Sequence, residues 1–122
     1  MKILIADDHL VVREGLKQIL KELNSASLIE EAKDGDEALH KIKSGNYDFV
    51  IMDISMPGLS GLDILKTLKD SNEKVNILIL SFHPQEQYAI RALRLGASGY
   101  LSKDSASEEL SLAIKKISSG GR

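Results

Sequence analysis

The stretch VIMDISMPGLSGLDIL, residues 50–65, puts a carboxylate at the end of what reads as a core strand. Phe49 to Met52 is apolar at every position, Asp53 closes the run, a Met56-Pro57-Gly58 turn follows, and a helical pattern begins beyond it. An uninterrupted apolar run of this length fits a strand covered on both faces, as in a parallel sheet with helices on either side. The same pattern recurs at Ile3–Ala6 and Ile77–Leu80, so these three runs are expected to be the central strands. Ser27–Ala32 contains Glu30 and Glu31, and Ala97–Ser102 contains Gly99 and polar residues, so both read as edge or near-edge strands.

Amphipathic stretches separate the runs. Val12, Leu16, Ile19, Leu20 and Leu23 form one helical stripe; Gly61, Ile64, Leu65 and Leu68 form another, and Leu110, Ala113, Ile114 and Ile117 a third. Asp34–Ser44 supplies a shorter helix with Ala38, Leu39 and Ile42 inward and Gly45 as an expected left-handed cap. Pro84–Leu95 has the thinnest inward stripe, Ala89, Ala92 and Leu93, and is expected to be the most mobile helix. Ser105 followed by Glu108 reads as a capping box opening the last helix. Strand and helix therefore alternate five times, which predicts an α/β, doubly wound, five-stranded parallel sheet in a single domain over 1–122.

Composition narrows the chemistry. Net charge of −2 argues against the chain itself being a nucleic-acid surface, and the absence of cysteine removes disulfide scaffolds, thiol nucleophiles and thiolate metal sites. The apolar run at the N-terminus is too short for a membrane span or signal peptide, and the expected location is the cytoplasm, with no membrane partner. The tail SSGGR at 118–122 has linker composition.

Aligning the strands by their apolar runs reveals what stands at each exit: Asp7 and Asp8 after ILIA, Asp53 after FVIM, Ser81 after ILIL and Lys103 after GYLS. Parallel strands all exit at one rim, and ligands bind there where strand connectivity reverses, here between the first and third strands. Taken singly, each residue has an ordinary explanation: Asp8 as a helix cap, Asp53 as a turn residue, Ser81 as a cap, Lys103 as a solvated cation. Taken together, three carboxylates at one rim repel one another unless a cation sits among them. Oxygen ligands without cysteine suit a hard ion, Mg²⁺. His9 and His83, which could be raised as ligands, read as loop residues. Acids, a metal, a hydroxyl and a lysine form a phosphoryl-transfer constellation, with Asp53 as the nucleophile.

With those residues in order, the chain resembles a response-regulator receiver domain along its whole length. The matching pieces are Asp7-Asp8, MDISMPGLSG around Asp53, LILSF around Ser81 and GYLSKD around Lys103. GYLSKDSASEEL further resembles the NarL/FixJ-type transcriptional regulators, in which aspartate follows the lysine. The resemblance implies a flavodoxin-like (βα)5 fold with strand order 2-1-3-4-5. It implies phosphorylation of Asp53 by a sensor histidine kinase or a small phosphodonor. Mg²⁺ would be held by Asp8, Asp53 and the Ser55 backbone carbonyl, with Asp7 acting through water. Lys103 and Ser81 would contact the phosphoryl oxygens, and Tyr100 would be the switch aromatic. A helix-turn-helix output domain is expected after 122, carrying any DNA binding. Phe82, at a position often small in receivers, and Ser55, at a position that tunes dephosphorylation, leave the lifetime of the phosphoryl state open.

Rival readings are weaker. A haloacid-dehalogenase-like phosphatase needs a second aspartate two residues after the nucleophile, where this chain has Ser55. A flavodoxin-like or dinucleotide-binding module lacks a G-x-G-x-x-G after any strand and has few aromatics. A receiver-like interaction module that never takes phosphate conflicts with the intact set of acids, serine and lysine. Val11, Gly15 and Leu112 lie off the sheet-facing stripes on the first and last helices, and predict a face for phosphorylation-enhanced homodimerisation.

Overall fold

Three strands that are apolar at nearly every position can be satisfied only by helices on both faces, and that is the arrangement in the computed structural model. The structure describes residues 2–22, 28–81, 86–102 and 106–118. The chain runs β1 (Lys2–Ala6), α1 (Leu10–Glu22), β2 (Leu28–Ala32), α2 (Gly35–Ser44), β3 (Phe49–Asp53), α3 (Gly61–Asp70), β4 (Ile77–Ser81), α4 (Glu86–Arg94), β5 (Gly99–Ser102) and α5 (Ala106–Ser118). All pairings are parallel, and the order is β2-β1-β3-β4-β5, as expected.

Alternation along each central strand divides the core in two. Leu4, Ala6, Val50, Met52, Ile77 and Ile79 pack with α2 and α3 residues such as Ala38, Ile42, Ile64 and Leu68. Ile3, Ile5, Phe49, Ile51, Leu78 and Leu80 pack with Leu16 and Leu20 of α1 and Leu110 and Ile114 of α5. Each fully buried aliphatic side chain contributes about 1.5–3 kcal/mol by leaving water, which fixes the register of the sheet.

Several local expectations are corrected. Gly45 ends α2 in extended rather than left-handed backbone, φ −111° and ψ 161°, with its N–H donating to Lys41 O. Leu93 is 50% exposed, not inward; Ala92 alone of the α4 stripe is fully buried, with Ala97 beyond the helix continuing the contact. A capping box that the sequence pattern did not flag stands on α3, where Ser60 and Asp63 exchange bonds between side chain and backbone; an aspartate in place of the usual glutamate hid it. Hydrogen bonding from Ser60 holds the Asp63 carboxyl below its ordinary range. Leu23 and Ser105 lie outside the described residues, as does the side chain of Ile117.

Candidate functional site

The strands run past their apolar segments into the polar residues. Asp53 is the last residue of β3 and Ser81 the last of β4, and both are buried. Asp7 follows β1 and is also buried, its N–H donating to Ala32 O at 3.1 Å. Asp53 stands in register with Leu80, and Ile54 N–H donates to Leu80 O, so the backbone ladder continues one residue beyond the nucleophile candidate. Ladder bonds on both sides of these acids make their positions a property of the sheet rather than of flexible loops.

Asp7, Asp8, His9 and Asp53 each offer one ligand atom, and these atoms all lie within 4.8 Å of one another. The donor set fits Mg²⁺: carboxylate oxygens from two neighbouring strands converge at the point where the sheet order reverses. When bound, the ion supplies positive charge against phosphoryl oxygens.

His9 is where the sequence reading fell short. It does occupy the loop after β1, but its ring stands within the acid group: Nδ1 lies 3.1 Å from Oδ1 of Asp7 and 3.1 Å from Oδ1 of Asp8. Its backbone N–H also donates to Asp7 Oδ1 at 2.9 Å. Carboxylate oxygens accept hydrogen bonds, so in the tautomer that carries its proton on Nδ1 the ring donates to Asp7. The ring is 62% exposed and therefore borders solvent at the mouth of the site.

Arg13 is a second residue that hydrophobic patterning passed over. Although charged, it is only 8% exposed. Its guanidinium ties the Asp7 carbonyl to Glu31 on β2, and Lys17 joins from the next turn of α1 at 3.1 Å from Glu31. Only a strong set of acceptors holds an arginine inside.

Ser55 is exposed on the loop after β3, and its N–H reaches Asp53 Oδ1 at 3.3 Å. Ser81 pairs in register with Ser102 of β5. Tyr100, opposite Ile79, is half-buried and packs against the core on the α2–α4 side. Lys103, Phe82 and His83 lie outside the described residues.

A family model described as the response regulator receiver domain matches residues 3–115. The chain belongs to that family. A receiver domain is a signalling domain of two-component regulators, and the relatives narrow the type. The chain is 43% identical over 121 residues to the oxygen regulatory protein NreC of Staphylococcus aureus, covering 98% of this chain and 56% of that protein. It thus spans little more than half the length of the curated relative it matches. Among solved structures it is similar to the signal receiver domain of NarL from Mycobacterium tuberculosis, with 31% identity, a TM-score of 0.88, and 98% of this chain and 96% of that one covered. It is also similar to a LuxR-family DNA-binding response regulator from Staphylococcus aureus, with 26% identity, a TM-score of 0.86, and 95% and 97% covered. The receiver is therefore of the NarL/NreC type. No helix among its described residues is long and apolar enough to cross a membrane.

Proposed function

We propose that this receiver is phosphorylated on Asp53 and that the modification controls transcription through an output domain beyond residue 122. The observation that carries the reading is the meeting of Asp53 with Asp7 and Asp8 within one 4.8 Å group at the switch point of the sheet.

The Asp53 carboxylate attacks the phosphorus of a phosphodonor, a sensor kinase phosphohistidine or a small acyl phosphate. The new O–P bond gives an acyl phosphate as the donor's bond to phosphorus breaks. Asp8, Asp53 and the Ser55 carbonyl are the direct ligands assigned to Mg²⁺, and Asp7 acts through water; the burial of Asp7 and its bond from the His9 N–H suit an indirect role. The Ser81 hydroxyl donates to one phosphoryl oxygen, and the Lys103 ammonium pairs with another. The domain thereby assists its own phosphorylation and dephosphorylation. Tyr100, on β5 and packed against the core on the α4 side, transmits the change by shifting its half-buried ring.

Output uses a second copy. Val11 on α1 is 83% exposed and Leu112 on α5 is 68% exposed, and both helices cover the same face of the sheet. Nothing lies within 4 Å of where a Gly15 side chain would begin, so a partner backbone has room to approach. A two-fold contact through this face would serve paired DNA half-sites, the DNA being bound by the output domain. The setting is the cytoplasm, where kinase and DNA are both reached.

Beryllofluoride, a phosphoryl mimic, tests the site. Amide signals of Asp53, Ser55 and Ser81 should shift when it is added with Mg²⁺ and stay fixed when Mg²⁺ is left out. Binding that ignores Mg²⁺, or no binding at all, would overturn the reading.

A further inference from the structure

Gly35 opens α2, and a Cβ built on it would lie 1.9 Å from the main-chain oxygen of Leu59, 2.6 Å from its carbonyl carbon and 2.9 Å from its Cα. All three atoms are backbone, so no change of rotamer makes room. The same glycine donates its N–H to Pro57 O at 3.1 Å. One residue on, Asp36 closes against Gly58, whose φ of +78° suits glycine and whose Cβ would meet Asp36 Oδ2 at 2.4 Å. The loop after β3 therefore rests on the first turn of α2.

Its far end is fixed as closely. Gly61 is buried, its N–H donates to Ile54 O at 3.0 Å, and a Cβ there would stand 2.8 Å from Asp53 O. Between these two clamps lies Ser55.

We infer that Gly35 is a positioning residue for the phosphorylation site: its bare Cα lets α2 seat the 54–60 loop at the depth that presents the Ser55 carbonyl to the cation. The inference rests on the assignment of that carbonyl as a metal ligand. Restoring ordinary contact around an added methyl requires the loop or the helix to withdraw by roughly an ångström or more. Mg²⁺ demands near-ideal octahedral geometry, so a carbonyl displaced by that much is a poorer ligand. A glycine that merely fills space would instead affect stability alone.

The test is Mg²⁺ titration by calorimetry on the wild-type chain, Gly35→Ala and Asp34→Ala. Asp34 caps α2 by accepting from Glu37 N–H at 2.8 Å, so its loss weakens the same helix end without adding volume at the loop. Both variants should melt earlier. Gly35→Ala should bind Mg²⁺ about 10-fold or more weakly, in the range seen for residues that orient ligands, while Asp34→Ala keeps the wild-type affinity. Unchanged affinity in Gly35→Ala, or equal weakening in both, would overturn the inference. Should Gly35→Ala not fold, the wild type decides: the Gly35 amide, bonded to Pro57 O, should shift in step with Mg²⁺ saturation, and an unmoved signal contradicts the role. A wild type that takes no Mg²⁺ would overturn the phosphoacceptor reading itself, a result distinct from wild type and variant binding equally.

Discussion

The Arg13 guanidinium donates to the main-chain carbonyl of Asp7 at 2.8 Å, joining the first turn of α1 to the acid that follows β1. Its Nε holds Glu31 on the edge strand at 2.9 Å, so one buried cation links three elements beside the site. Arg13→Met keeps the apolar stem and removes these bonds. It should lower unfolding free energy by about 1–3 kcal/mol, the range for hydrogen bonds to charged groups in partly buried positions. Arg13→Lys should recover only part, lacking the fork. Urea denaturation checks this, and an unchanged midpoint would contradict it.

Asp8 and Asp7 should separate in a Mg²⁺ titration. Asp8→Ala removes the proposed direct ligand and should weaken binding strongly. Asp7→Ala removes a buried side chain bonded to the His9 N–H and assigned a water-mediated role, so its loss of affinity should be smaller. Equal losses would reverse the assignment.

Acid should loosen the α1–β2 contact. Burial pushes the Glu31 carboxyl up, but hydrogen bonds from Lys17 and Arg13 outweigh it, and the net pKa lies below the ordinary 4.5. A group lowered on folding contributes stability that is present above its unfolded value and is lost as pH falls through its folded one. The wild type should therefore lose stability relative to Glu31→Gln as pH falls from 4.5 downward. Parallel curves for the two proteins in denaturant melts would show that Glu31 is not paired.

Self-association should depend on the exposed pair Val11 and Leu112. Sedimentation of the beryllofluoride-treated chain should give dimer, and Val11→Glu or Leu112→Glu should return it to monomer. A dimer that forms equally well in both variants would place the interface elsewhere, on α4 and β5.

The central strands and the residues at their exits were legible because a buried parallel strand must be apolar throughout, so an acid at its end stands out; the strand order came with the family resemblance. Asp53 and Ser81 were placed at strand ends by that logic, and the structure puts both inside the last ladder position. Pattern alone could not reach His9 or Arg13. Their roles depend on rings and guanidinium groups meeting atoms distant in the chain, and Glu31, which holds Arg13, looked like an exposed edge residue. Gly45 misled because a glycine after a helix usually takes positive φ, whereas here the chain leaves extended toward β3. Leu93 misled because helical spacing fixes a face but not how far the sheet extends beneath it. Gly35 carried no signal, since close approach of two backbones is a tertiary fact.

Phosphorylation of Asp53 is read most directly by intact-mass measurement after incubation with acetyl phosphate, on wild type and Asp53→Asn. The wild type should gain one phosphoryl group in the presence of Mg²⁺ and none without the ion, and Asp53→Asn should gain none under either condition. Undiminished phosphorylation of Asp53→Asn would contradict it.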